Sequence, residues 1–102
     1  MRELESNSKS IVFSNDKKYT IVDFYATWCG PCKSLAPVLE DIEKTHDNVE
    51  VVKVNIEECE DLTEQYKIMN VPTMLFFKNG EPLTKLVGLV PQKDIEDIIS
   101  KE

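Results

Sequence analysis

The stretch Tyr19–Lys33, YTIVDFYATWCGPCK, decides how this chain folds. Its first eight residues are mostly β-branched or aromatic and carry a single charge, Asp23, which predicts a strand that is covered on both faces. Two cysteines, Cys29 and Cys32, follow at a spacing of three. Pro31 between them suits the first turn of a helix, because its missing N–H would have no partner there. The stretch therefore predicts a buried strand, a short loop and a helix that begins at a Cys-x-x-Cys motif.

The rest of the chain alternates strands and helices around this stretch. Apolar residues three and four positions apart continue the first helix to near His46. The elements predicted after it are, in chain order, a strand at Val49–Ile56, a helix at Glu57–Lys67, a strand at Thr73–Lys78, a tight turn at Asn79-Gly80, a strand at Leu83–Val87 and a helix opened by Pro91. The pattern before Tyr19 is weaker, and we interpret Arg2–Ser6 as an edge strand and Ser8–Asn15 as a short helix.

This order of elements predicts an α/β fold. A strand–helix–strand unit forms a parallel pair through a right-handed crossover, and the final hairpin adds antiparallel strands. Helices then have to cover both faces of the sheet. We therefore expect a central mixed β-sheet of four to five strands, flanked by helices on both faces, in a single domain that spans residues 1–102.

Composition and charge narrow the range of partners. Twelve basic and nineteen acidic residues give a net charge of −7, which repels phosphate backbones and anionic lipids, so neither nucleic acid nor a membrane surface is an expected partner. The first ten residues, MRELESNSKS, contain no apolar run of the kind found in signal peptides. We therefore expect a cytoplasmic protein, with an organelle as the alternative if a targeting segment has been removed.

The cysteine pair carries the strongest chemical signal in the sequence. Residues three apart in a first helical turn lie on one face, so their sulfurs can reach bonding distance. The positive end of the helix favours a thiolate at Cys29, which makes it the expected nucleophile and Cys32 the expected resolving thiol. The alternative is half of a zinc site, for which the chain offers Cys59 and His46 as further ligands. Because the chain has no second paired motif, a redox pair without a metal is favoured.

Three more side chains are candidates for roles beside this pair. Asp23 is expected to have a raised pKa and to accept the proton of Cys32, the alternative being an edge residue paired with a surface cation. Lys53, in the next strand, is expected to moderate that pKa, or else simply to extend its ammonium to solvent. Trp28 is expected to form a platform for substrate, with a core aromatic as the alternative.

The segment VDFYATWCGPCK, Val22–Lys33, resembles the active-site segment of the thioredoxin family. Further matches to the family follow in order at Ala36-Pro37, Lys53-Val54-Asn55, Val71-Pro72-Thr73, Phe77-Lys78-Asn79-Gly80 and Val87-Gly88. The resemblance runs from about Tyr19 to the end of the chain and implies the thioredoxin fold. In two respects the sequence departs from many members. Tyr25 stands in place of a tryptophan, which we expect to matter little for the chemistry, and the segment before Tyr19 is a few residues shorter.

The resemblance implies a role for each matching residue. Cys29 and Cys32 correspond to the redox-active disulfide, Asp23 to a buried acid that accepts a proton, and Lys53 to its lysine neighbour. Pro72 corresponds to a cis-proline beside the active site, with an ordinary trans-proline as the alternative. The implied substrate groove comprises Trp28, Gly30, Pro31, Val71, Pro72, Val87, Gly88 and Leu89.

The resemblance also implies an activity, an electron source and clients. Oxidases and isomerases of the superfamily typically carry a histidine between the cysteines, whereas Gly30-Pro31 lacks one, so the implied function is that of a general protein-disulfide reductase and electron carrier. No cofactor is expected to be bound, and electrons would come from NADPH through a thioredoxin reductase, or from a ferredoxin-linked reductase. Peroxiredoxins, methionine sulfoxide reductases and ribonucleotide reductase are the implied kinds of client, and we expect a monomer.

Two alternative functions remain open at this point, and one of them, an oxidase or isomerase, would require a measured potential well above that of the glutathione pool. The same fold can serve as a non-catalytic binding module, in which the groove contacts a larger enzyme as a subunit or clamp. Cys59 lies outside the motif, and we interpret it as a residue at the start of a helix or, alternatively, as a regulatory or dimer-forming thiol.

Overall fold

A mixed β-sheet forms the centre of the fold. The computed structural model describes residues 1–100, so the last two residues of the predicted domain 1–102 lie outside the described range. Within residues 1–100 the sheet has five strands, which are β1 Arg2–Glu3, β2 Tyr19–Tyr25, β3 Val49–Asn55, β4 Thr73–Lys78 and β5 Glu81–Val87. Their order across the sheet is β1-β3-β2-β4-β5. Strands β1, β3 and β2 are parallel to one another, β4 is antiparallel to β2, and β5 is antiparallel to β4. The predicted mixed sheet is confirmed.

Three helices in the described range cover the two faces of the sheet, and they are α1 Gly30–Thr45, α2 Glu60–Gln65 and α3 Gln92–Ile99. Helices α1 and α3 share one apolar cluster with Tyr19 and Ile21 of β2, whereas α2 places Leu62 in a second cluster with Val22 and Phe24. Because side chains alternate along a strand, Asp23 belongs to the α1 face. None of the helices in residues 1–100 is long and apolar enough to cross a membrane.

The segment before β2 corrects part of the prediction. The edge strand β1 is present but shorter than expected, and Ser8–Asn15 does not form the predicted helix. The spacing of the apolar residues explains the error, because Ile11 and Phe13 are two positions apart and point the same way from an extended chain. Both pack against the α2-face cluster, where the ring centroid of Phe13 lies 4.9 Å from that of Phe77.

Helix α2 is shorter at both ends than the predicted Glu57–Lys67. At its start, the side chain of Asn55 accepts the N–H of Glu57 at 2.9 Å, and residues 56–58 form a turn instead of helix. At its end, Lys67 has a φ of 56°, the left-handed conformation that commonly terminates a helix.

The Asn79-Gly80 turn joins β4 to β5 as predicted, and the φ values of its two residues are 52° and 82°. Strand β5 begins directly after this turn, earlier than the predicted Leu83, because so tight a turn lets strand pairing resume at once. The pairing of β4 with β5 is interrupted by a register shift between Phe76 and Phe77.

Candidate active site

The first turn of α1 holds the two cysteines of the motif together. Cys29 is the N-cap residue, with extended backbone angles (φ −92°, ψ 114°), and its Sγ accepts the N–H of Cys32 at 3.2 Å. Pro31 occupies the first turn, as expected. The Cα atoms of the cysteines are 5.3 Å apart, within the range that a disulfide spans, and their sulfurs are joined. The motif is therefore built for exchange between a dithiol and a disulfide.

The start of helix α1 presents positive potential beside Cys29. The unpaired N–H groups at the start of α1 and the helix dipole both concentrate positive potential at Cys29. The first turn, residues 30–33, adds the cation Lys33 and contains no carboxylate. An environment of this kind is the one in which helix starts favour a thiolate over a thiol.

Two loops meet beside Cys29. The peptide bond between Val71 and Pro72 is cis, and the carbonyl oxygen of Val71 lies 3.7 Å from the Sγ of Cys29. Gly88 donates its N–H to the carbonyl oxygen of Pro72 at 2.7 Å, which ties the end of β5 to the loop before β4. Gly88 has a φ of 88°, a conformation that residues with a Cβ rarely adopt, so the junction of the two loops requires glycine.

The residues of the predicted groove differ in how far they are buried. Trp28 is 66% exposed and is therefore not a core aromatic, and its indole N–H donates to the carboxylate of Glu57 at 3.3 Å. The other members are exposed in the case of Gly30, Pro31, Val87 and Leu89, half-buried in the case of Val71 and Gly88, and buried in the case of Pro72. The predicted groove therefore combines exposed side chains with the buried Pro72.

A cavity of about 320 Å³ extends this surface beyond the predicted residues. It is lined by Trp28, Ile56, Ile68, Met69, Asn70 and Val71. Four of these residues, Ile56, Ile68, Met69 and Asn70, were not predicted from the sequence. Met69 is an apolar residue that lies two positions before the matched Val71-Pro72 and is 88% exposed. The signal available in the sequence was therefore Met69, an apolar residue beside a recognised motif that the predicted groove did not include.

Asp23 lies in the middle of the sheet, where its neighbours on either side are Lys53 of β3 and Met74 of β4. It is 1% exposed, and among residues 1–100 neither of its carboxylate oxygens has a hydrogen-bond partner. Burial raises the pKa of Asp23 to about 6, while the charge of Lys53 opposes this shift and that of Glu3 adds to it. Asp23 is therefore a central buried carboxyl group and not an edge residue.

Lys53 is next to Asp23 in the sheet, but its ammonium group lies over an aromatic ring. The Nζ atom is 4.3 Å from the centroid of the Tyr25 ring, a cation–π arrangement. The Tyr25 hydroxyl in turn donates to Oε2 of Glu3 at 2.8 Å. A surface cavity of about 410 Å³ adjoins this cluster and the cysteine pair, and it is lined by Tyr25, Ala26, Thr27, Cys32, Lys33, Ala36 and Lys53. Sequence reasoning did not find the contacts of Tyr25 and Glu3.

The geometry does not support the zinc alternative. His46 caps the far end of α1, so 16 residues of helix separate it from Cys29, a length of roughly 24 Å. Cys59 is buried on the α2 face of the sheet, with its Sγ 3.3 Å from the carbonyl oxygen of Glu5. In the described part of the chain, no group of three or more His, Cys, Asp or Glu side chains is placed to hold a metal ion.

Known proteins match both the sequence and the fold. A family model described as Thioredoxin matches residues 3–101. A thioredoxin of Alicyclobacillus acidocaldarius is 45% identical over 80 residues, which cover 78% of this chain and 76% of that protein. A thioredoxin of Staphylococcus epidermidis is 40% identical over 82 residues, or 79% of each chain. The structure of a point mutant of a thioredoxin from Halobacterium salinarum superposes with a TM-score of 0.78 at 37% identity, over 84% of this chain and 76% of that one. The chain therefore belongs to the thioredoxin family, and its cysteine pair carries out the dithiol/disulfide exchange of a protein-disulfide oxidoreductase.

Proposed function

We propose that this chain is a general protein-disulfide reductase and electron carrier, with Cys29 as the nucleophile and Cys32 as the resolving thiol. The position of Cys29 carries the proposal, because its Sγ lies at the N-cap of α1 and 3.7 Å from the carbonyl oxygen of Val71. The helix start stabilises a thiolate, and the adjoining groove lets a client approach that sulfur. Cys32, one helical turn further along, is in place to complete the exchange.

The reaction starts from the reduced pair. The Cys29 thiolate attacks one sulfur of a client disulfide, the client S–S bond breaks, and the other client sulfur leaves as a thiolate that takes up a proton. Cys32 then loses its proton and attacks the Cys29 sulfur, which breaks the mixed disulfide and releases the second client thiol. The client has gained two electrons and two protons, and the chain is left with a Cys29–Cys32 disulfide.

Asp23 is the proposed acceptor of the proton that Cys32 loses, and Lys53 modulates it. With a pKa of about 6, Asp23 is mostly ionised near neutral pH and yet takes up a proton far more readily than an ordinary aspartate. Cys32 and Lys53 line the same cavity, and Lys53 is the register partner of Asp23, so water in this cavity could relay a proton from Cys32 toward Asp23. The charge of Lys53 lowers the pKa of Asp23, so it limits how far burial raises that pKa.

The proposed client site is the groove around Cys29. An extended client segment would pair with the backbone at Val71, in the manner of an added strand, and bring its disulfide to the Cys29 sulfur. The residues proposed to contact it are Trp28, Gly30, Pro31, Val71, Pro72, Val87, Gly88 and Leu89. The exposure of Trp28, Val87 and Leu89 supports this assignment, since a client can bury all three.

The proposed direction of electron flow is toward the client. Thioredoxins as a family have potentials near about −270 mV, against about −120 mV for a strongly oxidising relative. In this family NADPH supplies electrons through a thioredoxin reductase, and peroxiredoxins, methionine sulfoxide reductases and ribonucleotide reductase receive them. We propose the same electron source and kinds of client here, with a monomeric domain of residues 1–102 working in the reducing cytoplasm.

Insulin reduction with dithiothreitol as the electron donor tests the proposal. Wild type should accelerate the reduction, Cys29→Ser should abolish it, and Cys32→Ser should accumulate a mixed disulfide with the client. A wild type that does not accelerate the reduction contradicts the proposal. Retention of the biological role by both serine variants would indicate a binding module, and a measured potential well above that of the glutathione pool would indicate an oxidase or isomerase.

The groove has its own matched test. Trp28→Ala should lower kcat/KM for a protein client by about tenfold or more, because truncation of a tryptophan that anchors an interface costs about 2 kcal/mol or more of binding. Leu83→Ala is the control, because Leu83 is also exposed (46%) but lies at the opposite end of β5 from Val87. Equal effects of the two substitutions would contradict the assignment of the groove.

A further inference from the structure

Three charged residues form a row across the parallel part of the sheet. Glu3 of β1 is the register partner of Lys53 of β3, and Lys53 is the register partner of Asp23 of β2. Register partners in neighbouring strands point to the same face, so a cation stands between two carboxylates on the α1 face. Tyr25 lies two residues after Asp23 and therefore shares this face.

The cation in this row is bound by the aromatic ring. The Nζ of Lys53 lies 4.3 Å from the ring centroid of Tyr25, whereas both oxygens of Asp23 are without a hydrogen-bond partner among the residues described. The ring is held from its other end, because its hydroxyl donates to Glu3 at 2.8 Å. Burial and Glu3 both raise the pKa of Tyr25, so the hydroxyl stays protonated and able to donate.

From this arrangement we propose that Tyr25 is a positioning residue for proton transfer. Its ring holds the Lys53 ammonium beside the Asp23 carboxylate instead of directly on it, and Glu3 fixes the ring. This inference rests on the proposed role of Asp23 as the proton acceptor. Tyr25, which stands in place of a tryptophan and was expected to matter little, thereby has a definite part in the chemistry.

The reason that the position of the ammonium matters is the strength of the base. A direct ion pair with a cation lowers the pKa of an aspartate by about 1–3. An aspartate paired in this way would lose most of its ability to accept a proton near neutral pH. Held over the ring, Lys53 still acts on Asp23 through its field, but burial remains the larger influence on the pKa of Asp23.

Two charges on neighbouring strands act on Asp23 besides its burial: Glu3 raises its pKa and Lys53 lowers it. From β1 the facing charge is Glu3, and from β3 it is Lys53. Strand β4 presents the apolar Met74, and α1 contributes Cys32 and Lys33, which line a cavity together with Lys53. A change at Tyr25 is therefore expected to alter the pKa of Asp23 through the position of Lys53.

The test is an NMR titration of the Asp23 carboxyl carbon in the oxidised protein, where the two cysteines are joined and cannot titrate. Tyr25→Leu removes the ring and should lower the Asp23 midpoint by about one pH unit or more, a tenfold or greater change in the acid dissociation constant. Tyr25→Phe keeps a ring face for the ammonium and should keep most of the wild-type value. An unchanged midpoint in Tyr25→Leu overturns the proposal.

Loss of the ring also lets water reach Asp23, and a double variant separates this effect from ion pairing. Because Lys53 already lowers the pKa of Asp23 in wild type, the reference is the single variant Lys53→Gln. Added to Lys53→Gln, Tyr25→Leu should lower the Asp23 midpoint much less than it does in wild type if a released Lys53 is the cause. An equal lowering with and without Lys53 overturns the proposal in favour of hydration. In wild type, the ε-methylene protons of Lys53 should show an upfield ring-current shift. If the ε-methylene protons of Lys53 show no upfield shift, the proposal is overturned. This measurement needs no substitution, so it does not depend on whether Tyr25→Leu folds.

These readouts are independent of the proposed function. If the Asp23 midpoint moves as expected and the pH profile of client reduction moves with it, both ideas stand. If the midpoint moves while the pH profile of client reduction stays in place, the positioning of Lys53 stands and the role of Asp23 as proton acceptor fails.

Discussion

Replacement of Asp23 by asparagine should make the oxidised protein more stable at neutral pH. An asparagine side chain has nearly the same shape as that of aspartate and would leave a similar unpartnered polar group in the same buried place, so the substitution isolates the effect of the charge. The pKa of Asp23 rises from its ordinary value of 3.8 to about 6 in the folded chain. At pH values above both of these pKa values, this difference lowers the free energy of unfolding of wild type by about 3 kcal/mol.

The pH dependence gives the sign of the effect. Between pH 3.8 and about 6 the folded chain binds the proton of Asp23 more tightly than the unfolded chain does, so the stability contributed by this group falls as the pH rises through that window. Relative to wild type, Asp23→Asn should therefore gain up to about 3 kcal/mol at pH 7.5 and almost nothing near pH 3.5. In urea, the unfolding midpoint at pH 7.5 should rise by about 1–3 M.

Urea unfolding of both oxidised proteins at a series of pH values measures this. Asp16→Asn is the control, because Asp16 is an exposed carboxylate in a turn and its replacement should change the free energy of unfolding by less than about 0.5 kcal/mol at every pH. If the free energies of unfolding of wild type and Asp23→Asn differ by the same amount from pH 4 to pH 8, this would falsify the argument that burial of an ionised carboxylate lowers the stability of wild type.

Three further outcomes follow from the packing and the backbone. Gly88→Ala should destabilise the chain by about 1–2 kcal/mol, because φ is 88° there. Gly30→Ala should be neutral or slightly stabilising, since a Cβ at this helical position meets no described atom within 4 Å other than its chain neighbours and the nearby backbone of its own helix; thermal unfolding compares the two. Leu62→Ala should cost about 2–5 kcal/mol in urea unfolding, because Leu62 is fully buried against the α2 face of the sheet. Cys59→Ala should cost only about 1–2 kcal/mol and leave insulin reduction unchanged, because its buried thiol lies on the sheet face opposite α1; a loss of turnover would point to a role for this thiol.

The parts of the fold that sequence could predict are those with a local physical cause. The buried strand before the motif, the helix that begins at the cysteines and the Asn79-Gly80 turn each follow from residues within a few positions of one another. The ends of α2 do not, because they depend on the side chain of Asn55 and on the left-handed backbone of Lys67. The helix predicted at Ser8–Asn15 was wrong because Ile11 and Phe13 are half-buried in a non-helical segment, by contacts with residues that are distant in the sequence.

The candidate site divides in the same way. The cysteine pair and Pro31 are set by spacing, and the groove residues came from the family resemblance. The contacts of Asp23 required the sheet, because the register that puts Glu3 beside Lys53 involves a two-residue strand with no sequence pattern of its own. The hydrogen bond from Tyr25 to Glu3 joins residues 22 positions apart for the same reason. Long-range register was therefore the information that the sequence alone did not supply.

The two margins of the sheet bear on how this protein behaves at high concentration. An exposed strand edge invites pairing with another molecule and is a common starting point for aggregation. Here β1 at one margin spans just Arg2–Glu3, and β5 at the other contains Pro82, which has no N–H to offer, together with Lys85. The irregularity between Phe76 and Phe77 further disturbs the margin at β5. Neither margin is a good template for a sixth strand, so crowded copies of the molecule should resist stacking into fibrils.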